Sequence, residues 1–145
     1  ELPRLYALSA GGRRPSVHVF FVRSIDGALG IASGIPGPHA MYGTGASGVA
    51  IATDAIPPPM LPGVIVHEIG HFMGLFHSSE FDGTVSDPFP DTPECRADRD
   101  ANGDGFVAPE ECFDAGAENL MFWAGTGTSL SPQQGELMRR ALFVR

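Results

Sequence analysis

Three histidines and a glutamate at fixed spacing are the residues of this 145-residue chain best suited to chemistry. Residues 67–77 read His-Glu-Ile-Gly-His-Phe-Met-Gly-Leu-Phe-His. On a helix, positions i and i+4 share one face, so His67 and His71 can direct their imidazoles at one metal ion. Gly74 lets the chain leave the helix in a conformation that glycine adopts freely, and His77 then returns as a third ligand.

This ligand set predicts a catalytic zinc ion, because three protein nitrogens leave a fourth position for water. Zinc lowers the pKa of that water towards ~7, and we expect Glu68 to accept its proton during attack on a peptide carbonyl. Glu68 would later pass the proton to the leaving amine. The alternative is an ordinary core helix, since HExxH alone arises by chance. Gly74, His77 and the apolar residues behind them favour zinc. His18 and His39 stand alone, and we expect His18 to be structural.

A second candidate metal site lies at residues 100–111, which read Asp-Ala-Asn-Gly-Asp-Gly-Phe-Val-Ala-Pro-Glu-Glu. This segment matches D-x-N-x-D-G-x5-E, the loop pattern of an EF-hand. Pro109 inside the loop and Cys112 directly after it are not helical flanks, so an isolated calcium loop is predicted. The alternative is an acidic surface turn. The expected calcium ligands are Asp100, Asn102, Asp104, Glu111 and the backbone carbonyl of Phe106, with Gly105 allowing the sharp turn.

The chain has two cysteines, Cys95 and Cys112, and they bracket this loop. We expect a disulfide between them, with two free buried thiols as the alternative. A disulfide and a weak calcium site both suit an oxidising, calcium-rich exterior. The sequence therefore predicts a secreted, extracellular protein.

The elements that must position these residues are few. Val17–Val22 and Gly48–Thr53 are apolar, β-branched runs typical of buried strands. Between them, the Gly-rich stretch 27–48 holds only short extended pieces. Pro62 suits the first turn of a helix that runs to Gly74 with apolar residues on one side.

The chain from Ser78 to Asn119 shows no periodicity, and a loop of that length requires a covalent or metal brace. After it, Ser131 is a good N-cap and Pro132 a good first position for a final helix. The apolar stripe of that helix comprises Leu137, Met138, Ala141 and Leu142.

Composition limits the class of protein. Hydrophobic residues make up 43% of the chain and charged residues 18%, which fits a single globular domain. The net charge of −8 argues against binding to nucleic acid or anionic membranes. No apolar run approaches the ~20 residues of a membrane span. Glu1 opens the chain without the pattern of a signal peptide, so we expect a mature product.

The motif HExxHxxGxxH is the signature of the metzincin clan, and Asn119-Leu120-Met121 resembles the Met-turn of that clan. Within the clan the chain is most similar to the pappalysin family, through Asp91-Thr92-Pro93 and Leu130-Ser131-Pro132-Gln133-Gln134. The likeness covers the chain from about residue 60 to its end. It implies an α+β zincin-like fold with a small twisted mixed sheet, an active-site helix above it, and an irregular C-terminal subdomain with the Met-turn and the terminal helix. It also implies zinc-dependent cleavage of internal peptide bonds in proteins or peptides.

The whole chain, residues 1–145, is thus expected to form one catalytic domain, with an upper subdomain of residues 1–77 and a lower subdomain of residues 78–145. The stretch 1–16 cannot supply the long backing helix of the fold, so some of the N-terminal portion is expected to be missing. Substrate is expected to pair with the sheet edge near Gly30–Gly34. Trp123 stands where astacins and pappalysins have a tyrosine, and it either packs or leaves the oxyanion to be stabilised differently. The rival function is a weak or inactive calcium-dependent binding or structural module.

Overall fold

A computed structural model describes residues 1–12, 16–38 and 41–141, and it shows a small α+β fold. His39 and Leu142 lie outside the described residues. The α-helices within these ranges are α1 (Leu2–Tyr6), α2 (Leu61–Phe72) and α3 (Pro132–Arg140). The strands are β1 (Val19–Val22), β2 (Gly30–Ala32) and β3 (Val49–Ala52), and short 3-10 turns cover Ala7–Gly11 and Ala97–Arg99.

The three strands form a mixed sheet in the order β1-β3-β2. β3 runs parallel to β1 and antiparallel to β2, with Val19 opposite Val49 and Gly30 opposite Ile51. All four residues of β3 are fully buried, which explains the continuous apolar run of its sequence. Both predicted strands are confirmed, but β1 lies at a sheet edge and is not buried, since Phe21 is 58% exposed.

Helix α2 begins and ends as its sequence predicts. Pro62 occupies the first turn, and Met73 follows the last helical residue. Gly74 then takes a φ of +105°, the left-handed conformation that glycine adopts without strain. The Leu75 N–H donates to the Gly70 carbonyl at 3.0 Å and the Gly74 N–H to the His71 carbonyl at 2.9 Å, which together form a Schellman motif.

The chain packs as two compact units. The first unit comprises Glu1–Leu75 with the residues from Leu137 on, and the second comprises Phe76–Glu136. The sheet and α2 belong to the first unit, where Ile51, Ile56 and Val64 form a buried apolar cluster. Among the described residues, no helix has the length and apolar character needed to cross a bilayer.

The second unit has very little regular structure, as the missing periodicity predicts. The predicted disulfide between Cys95 and Cys112 is confirmed. Both cysteines are buried in an apolar cluster with Val107, Ala115 and Phe122. The covalent link therefore lies within the apolar core of this unit.

The start of α3 is capped twice. Ser131 and Gln134 form a capping box, in which the Gln134 N–H donates to Ser131 Oγ at 3.1 Å and the Ser131 N–H donates to Gln134 Oε1 at 3.0 Å. Asp91 Oδ2 accepts the Gln133 N–H at 2.9 Å. The prediction of Ser131 as N-cap is confirmed, and Asp91 gains a structural role that its sequence position did not indicate.

Candidate metal centre

The three predicted histidine ligands lie together. His67, His71 and His77 each offer one ring nitrogen, and these nitrogens all lie within 4.8 Å of one another. In a tetrahedral zinc site with Zn–N bonds of about 2.0–2.1 Å, ligand nitrogens are about 3.3 Å apart. The cluster therefore needs only a small adjustment for one ion to contact all three nitrogens, and it can hold a metal.

The second ring nitrogen is hydrogen-bonded in two of these histidines. His71 Nδ1 lies 2.7 Å from the Leu75 carbonyl oxygen, which can only accept, so Nδ1 carries the proton. His77 Nδ1 lies 3.0 Å from Glu80 Oε2, a carboxylate that likewise accepts. With the proton on Nδ1, Nε2 is the nitrogen of each ring that can coordinate a metal, as in zinc-binding histidines with an outer hydrogen-bond partner. The donor set therefore fits zinc.

Replacing Glu80 with alanine is expected to weaken zinc binding about 10- to 100-fold, because the carboxylate orients the His77 ring and raises its basicity. Competition with a chromogenic chelator at fixed pH measures the affinity. The matched control is Glu94→Ala, since Glu94 contacts Arg96 and not a histidine. Equal zinc affinity of the Glu80 variant and the unaltered protein would show that this contact does not support the site.

Glu68 is held in a buried position on α2, with 7% of its surface exposed. Burial raises its pKa to about 7, and a hydrogen bond from the Ala32 backbone N–H partly opposes this shift. Burial also raises the pKa of Tyr6 to about 12, with a further contribution from the negative charge of Glu68. The Tyr6 hydroxyl donates to the Ile31 carbonyl at 3.0 Å. A carboxylate with a pKa near neutrality has the basicity that a general base requires.

The turn at Met121 is fixed by buried polar contacts. Asn119 Oδ1 accepts the Met121 N–H at 2.8 Å, and Asn119 Nδ2 donates to Gln134 Oε1 at 2.9 Å. Gln134 is fully buried and its Nε2 donates to Asp87 Oδ2 at 3.0 Å. The Met121 carbonyl in turn accepts the Ser78 N–H at 2.9 Å. This turn therefore anchors the residue that directly follows His77.

Trp123, at the position where a tyrosine was expected, is partly buried and packs beside Phe122. Its indole Nε1–H donates to the Val107 carbonyl at 2.8 Å. An indole has only this one donor. Trp123 thus connects the Met121 turn with the loop of residues 100–111.

The predicted calcium loop is a compact turn organised by two carboxylates. Asp100 accepts the N–H groups of Gly103, Asp104 and Gly105 at 2.7 to 3.2 Å. Glu111 accepts the N–H groups of Ala101 and Ala108, each at 2.9 Å. Gly105 has a φ of +86°, as the predicted sharp turn requires. The side chains of Asp100, Asn102, Asp104 and Glu111 therefore share one loop and are bonded to its backbone.

Sequence reasoning missed three contributors to this region: Glu80 beside His77, Gln134 beside Asn119, and Gly30 beside Glu68. The Ser131-x-x-Gln134 spacing is a capping-box signal, so the helix-start role of Gln134 was available from the sequence. The other two contacts have no sequence signature.

Comparison with known proteins finds similarity to a distant relative. The chain is 30% identical, over 153 aligned positions, to extracellular metalloprotease 1 of Coccidioides posadasii (strain C735). The alignment covers 90% of this chain and 53% of that protein, so the chain spans about half the length of its curated relative. No protein-family profile and no solved structure matches the chain. The similarity supports a relationship to metalloproteases.

Proposed function

We propose that this chain is the catalytic domain of a secreted zinc metalloendopeptidase of the metzincin type, most similar to the pappalysins. The observation that carries the proposal is the group of three histidine nitrogens within 4.8 Å of one another, with buried Glu68 adjacent in sequence to His67. The distant relative, an extracellular metalloprotease, supports the same class of protein. The disulfide agrees with an oxidising compartment.

In this proposal His67, His71 and His77 hold the zinc. When bound, zinc supplies Lewis-acid polarisation of the scissile carbonyl and makes an attacking water more acidic. Glu68 takes the proton from that water and passes it to the leaving amine. Leu75 and Glu80 keep the rings of His71 and His77 in orientation.

Strand β2 is the proposed docking edge for an extended substrate peptide. It lies at one edge of the sheet, and its residues Gly30–Ala32 fall within the segment Gly30–Gly34 expected to pair with substrate. The Ser33 N–H donates to the Gly48 carbonyl, and the Leu29 carbonyl accepts the Ala52 N–H. Because backbone groups alternate in direction along an antiparallel strand, those of Gly30 and Ala32 point away from β3. The N–H of Ala32 donates to Glu68, so the Gly30 backbone and the Ala32 carbonyl are the groups of this edge that substrate would pair with. Main-chain pairing with this edge would bring substrate next to the base.

The test is metal removal from the intact protein, with denatured casein as substrate. We expect 1,10-phenanthroline to abolish cleavage and one equivalent of zinc per chain to restore it, whereas calcium alone does not. Metal analysis of the active protein should find one zinc in each chain. Cleavage that survives complete zinc removal would refute the proposal, as would absence of cleavage by fully zinc-loaded protein.

The rival function is a calcium-dependent binding or structural module that retains the zinc fold without turnover. The observation that favours it is Trp123, whose single donor is bonded to Val107 and not directed at a substrate carbonyl. A retained and buried Glu68 argues against it, because a binding module has no use for a base beside the metal. The effect of altering Glu68 on cleavage distinguishes the two functions.

We also propose that residues 100–111 bind a structural calcium ion through Asp100, Asn102, Asp104, Glu111 and the Phe106 carbonyl. All-oxygen donors on a preformed loop suit this hard cation. Calcium at ten times its Kd is expected to raise the free energy of unfolding by about 1.4 kcal/mol. Glu111→Gln should remove this effect in thermal melts. Glu110→Gln, at the exposed neighbouring position, should preserve it. A melting temperature that does not respond to calcium would contradict the site.

A further inference from the structure

The side chain of Glu68 occupies the space that a side chain at position 30 would fill. A methyl group on Gly30 would lie 2.5 Å from Cγ of Glu68 and 2.8 Å from its Cδ and Oε1. Non-bonded carbon atoms prefer separations of about 3.5–4.0 Å. A residue other than glycine at position 30 therefore cannot coexist with the observed position of Glu68.

The backbone does not require glycine at this position. Gly30 lies in strand β2 and does not have a positive φ. Its neighbours Ile31 and Ala32 occupy the same strand with ordinary side chains. The need for glycine at position 30 comes from the space taken by Glu68 and not from the conformation of the chain.

Glu68 has little freedom to move aside. The residue is 7% exposed, and the Ala32 N–H donates to its carboxylate. Its neighbour on α2, His67, is 4% exposed. A shift large enough to clear a methyl group at position 30 would exceed about 0.5 Å and would change the position of the carboxylate relative to the Ala32 donor.

We infer that Gly30 is a positioning residue of the proposed peptidase: by lacking a side chain it leaves the room in which the Ala32 N–H holds the Glu68 carboxylate. This inference rests on the proposed function, because it assigns Gly30 a role only through the base. Strand β2 then has two roles, because the edge that would bind substrate also holds the Glu68 carboxylate, the proposed general base.

The first test is the kinetics of Gly30→Ala with a fluorogenic peptide. We expect kcat to fall about 100-fold, because misplacing a catalytic group by about 1 Å has an effect of that size. KM should stay within about twofold and the zinc content at one per chain, since alanine keeps the backbone N–H and C=O that position 30 offers to substrate and no metal ligand is altered. The matched control is Gly11→Ala, where a methyl group meets no atom within 4 Å and the backbone is not left-handed. Its kinetics should equal those of the unaltered protein.

The second test is a double-mutant cycle read as melting temperature, which needs no turnover. Gly30→Ala should lower the melting temperature when Glu68 is present. It should not do so in the Glu68→Ala background, where Cγ, Cδ and Oε1 have been removed. The same loss in both backgrounds would overturn the inference.

The two tests separate this inference from the proposed function. If the unaltered protein cleaves peptides and Gly30→Ala cleaves them equally well, the function stands and the inference is wrong. If zinc-loaded protein cleaves nothing, the proposed peptidase function is refuted, and Gly30 then has no catalytic base to position. The thermal cycle then still measures whether Gly30 makes room for Glu68.

Discussion

Glu68→Gln is expected to lower kcat for peptide cleavage about 10²- to 10⁴-fold, the range contributed by a general base. The glutamine amide has the shape of the carboxylate but cannot accept the proton of an attacking water. The side chain is buried and lies beside strand β2, so a substitute of equal size should keep the local packing. Steady-state kinetics of zinc-loaded protein, with the metal content measured on the same sample, gives the comparison.

Zinc occupancy decides how that result is interpreted. The variant should retain one zinc per chain, because Glu68 is not among the three residues whose nitrogens form the cluster. Glu118→Gln, at an exposed position, is the control and should cleave normally. Equal cleavage by Glu68→Gln and the unaltered protein, at full zinc loading, would refute the peptidase mechanism. A lack of cleavage by both would instead favour the binding module.

Removing the disulfide by Cys95→Ala with Cys112→Ala is expected to lower the free energy of unfolding by about 3 kcal/mol, according to the chain-entropy estimate for a loop of this length. The two cysteines are 17 positions apart, and both are buried in the core of the second unit. Alanine avoids burying an unpaired hydroxyl group. Urea denaturation monitored by circular dichroism measures the change.

The unaltered protein should also show no reactive thiol when titrated without reductant, because both cysteines are bonded. Two titratable sulfhydryls in folded protein would contradict the disulfide. An unchanged urea midpoint in the double variant would show instead that the buried apolar contacts of this core suffice without the covalent link.

Local patterns predicted the elements that carry the metal ligands. These patterns depend only on helix geometry within about a dozen residues. They are the i, i+4 histidines, Pro62 in the first turn and Gly74 after the last turn, and the structure shows each in place. The continuous apolar run of β3 likewise predicts a strand that is buried on both faces, and all four of its residues are buried. The exposure of Phe21 was not predictable, because the position of β1 at the sheet edge depends on strand order and not on its own sequence.

The features that the sequence did not predict depend on contacts between residues far apart in the chain. Gln134 bonds Asp87, 47 positions earlier, and Asp91 accepts an N–H from Gln133, 42 positions later. Gly30 and Glu68 meet only because α2 packs against β2. Hydrophobic periodicity and turn residues carry no information about such long-range contacts. The lack of periodicity indicated that the second unit needs a brace, but it could not indicate the hydrogen-bond partners of buried side chains such as Gln134.

The single tryptophan of the chain makes the two compact units spectroscopically separable. Because the Trp123 indole is half-buried and bonded to the Val107 carbonyl, its emission reports the folding of the second unit, to which both residues belong. The far-ultraviolet helical signal of the described residues comes largely from the first unit, which contains α1, α2 and the last residues of α3. Fluorescence and circular dichroism recorded during one denaturant titration therefore follow different regions of the molecule. Coincident curves mean that the units unfold as one cooperative block, and separated curves give the stability of each.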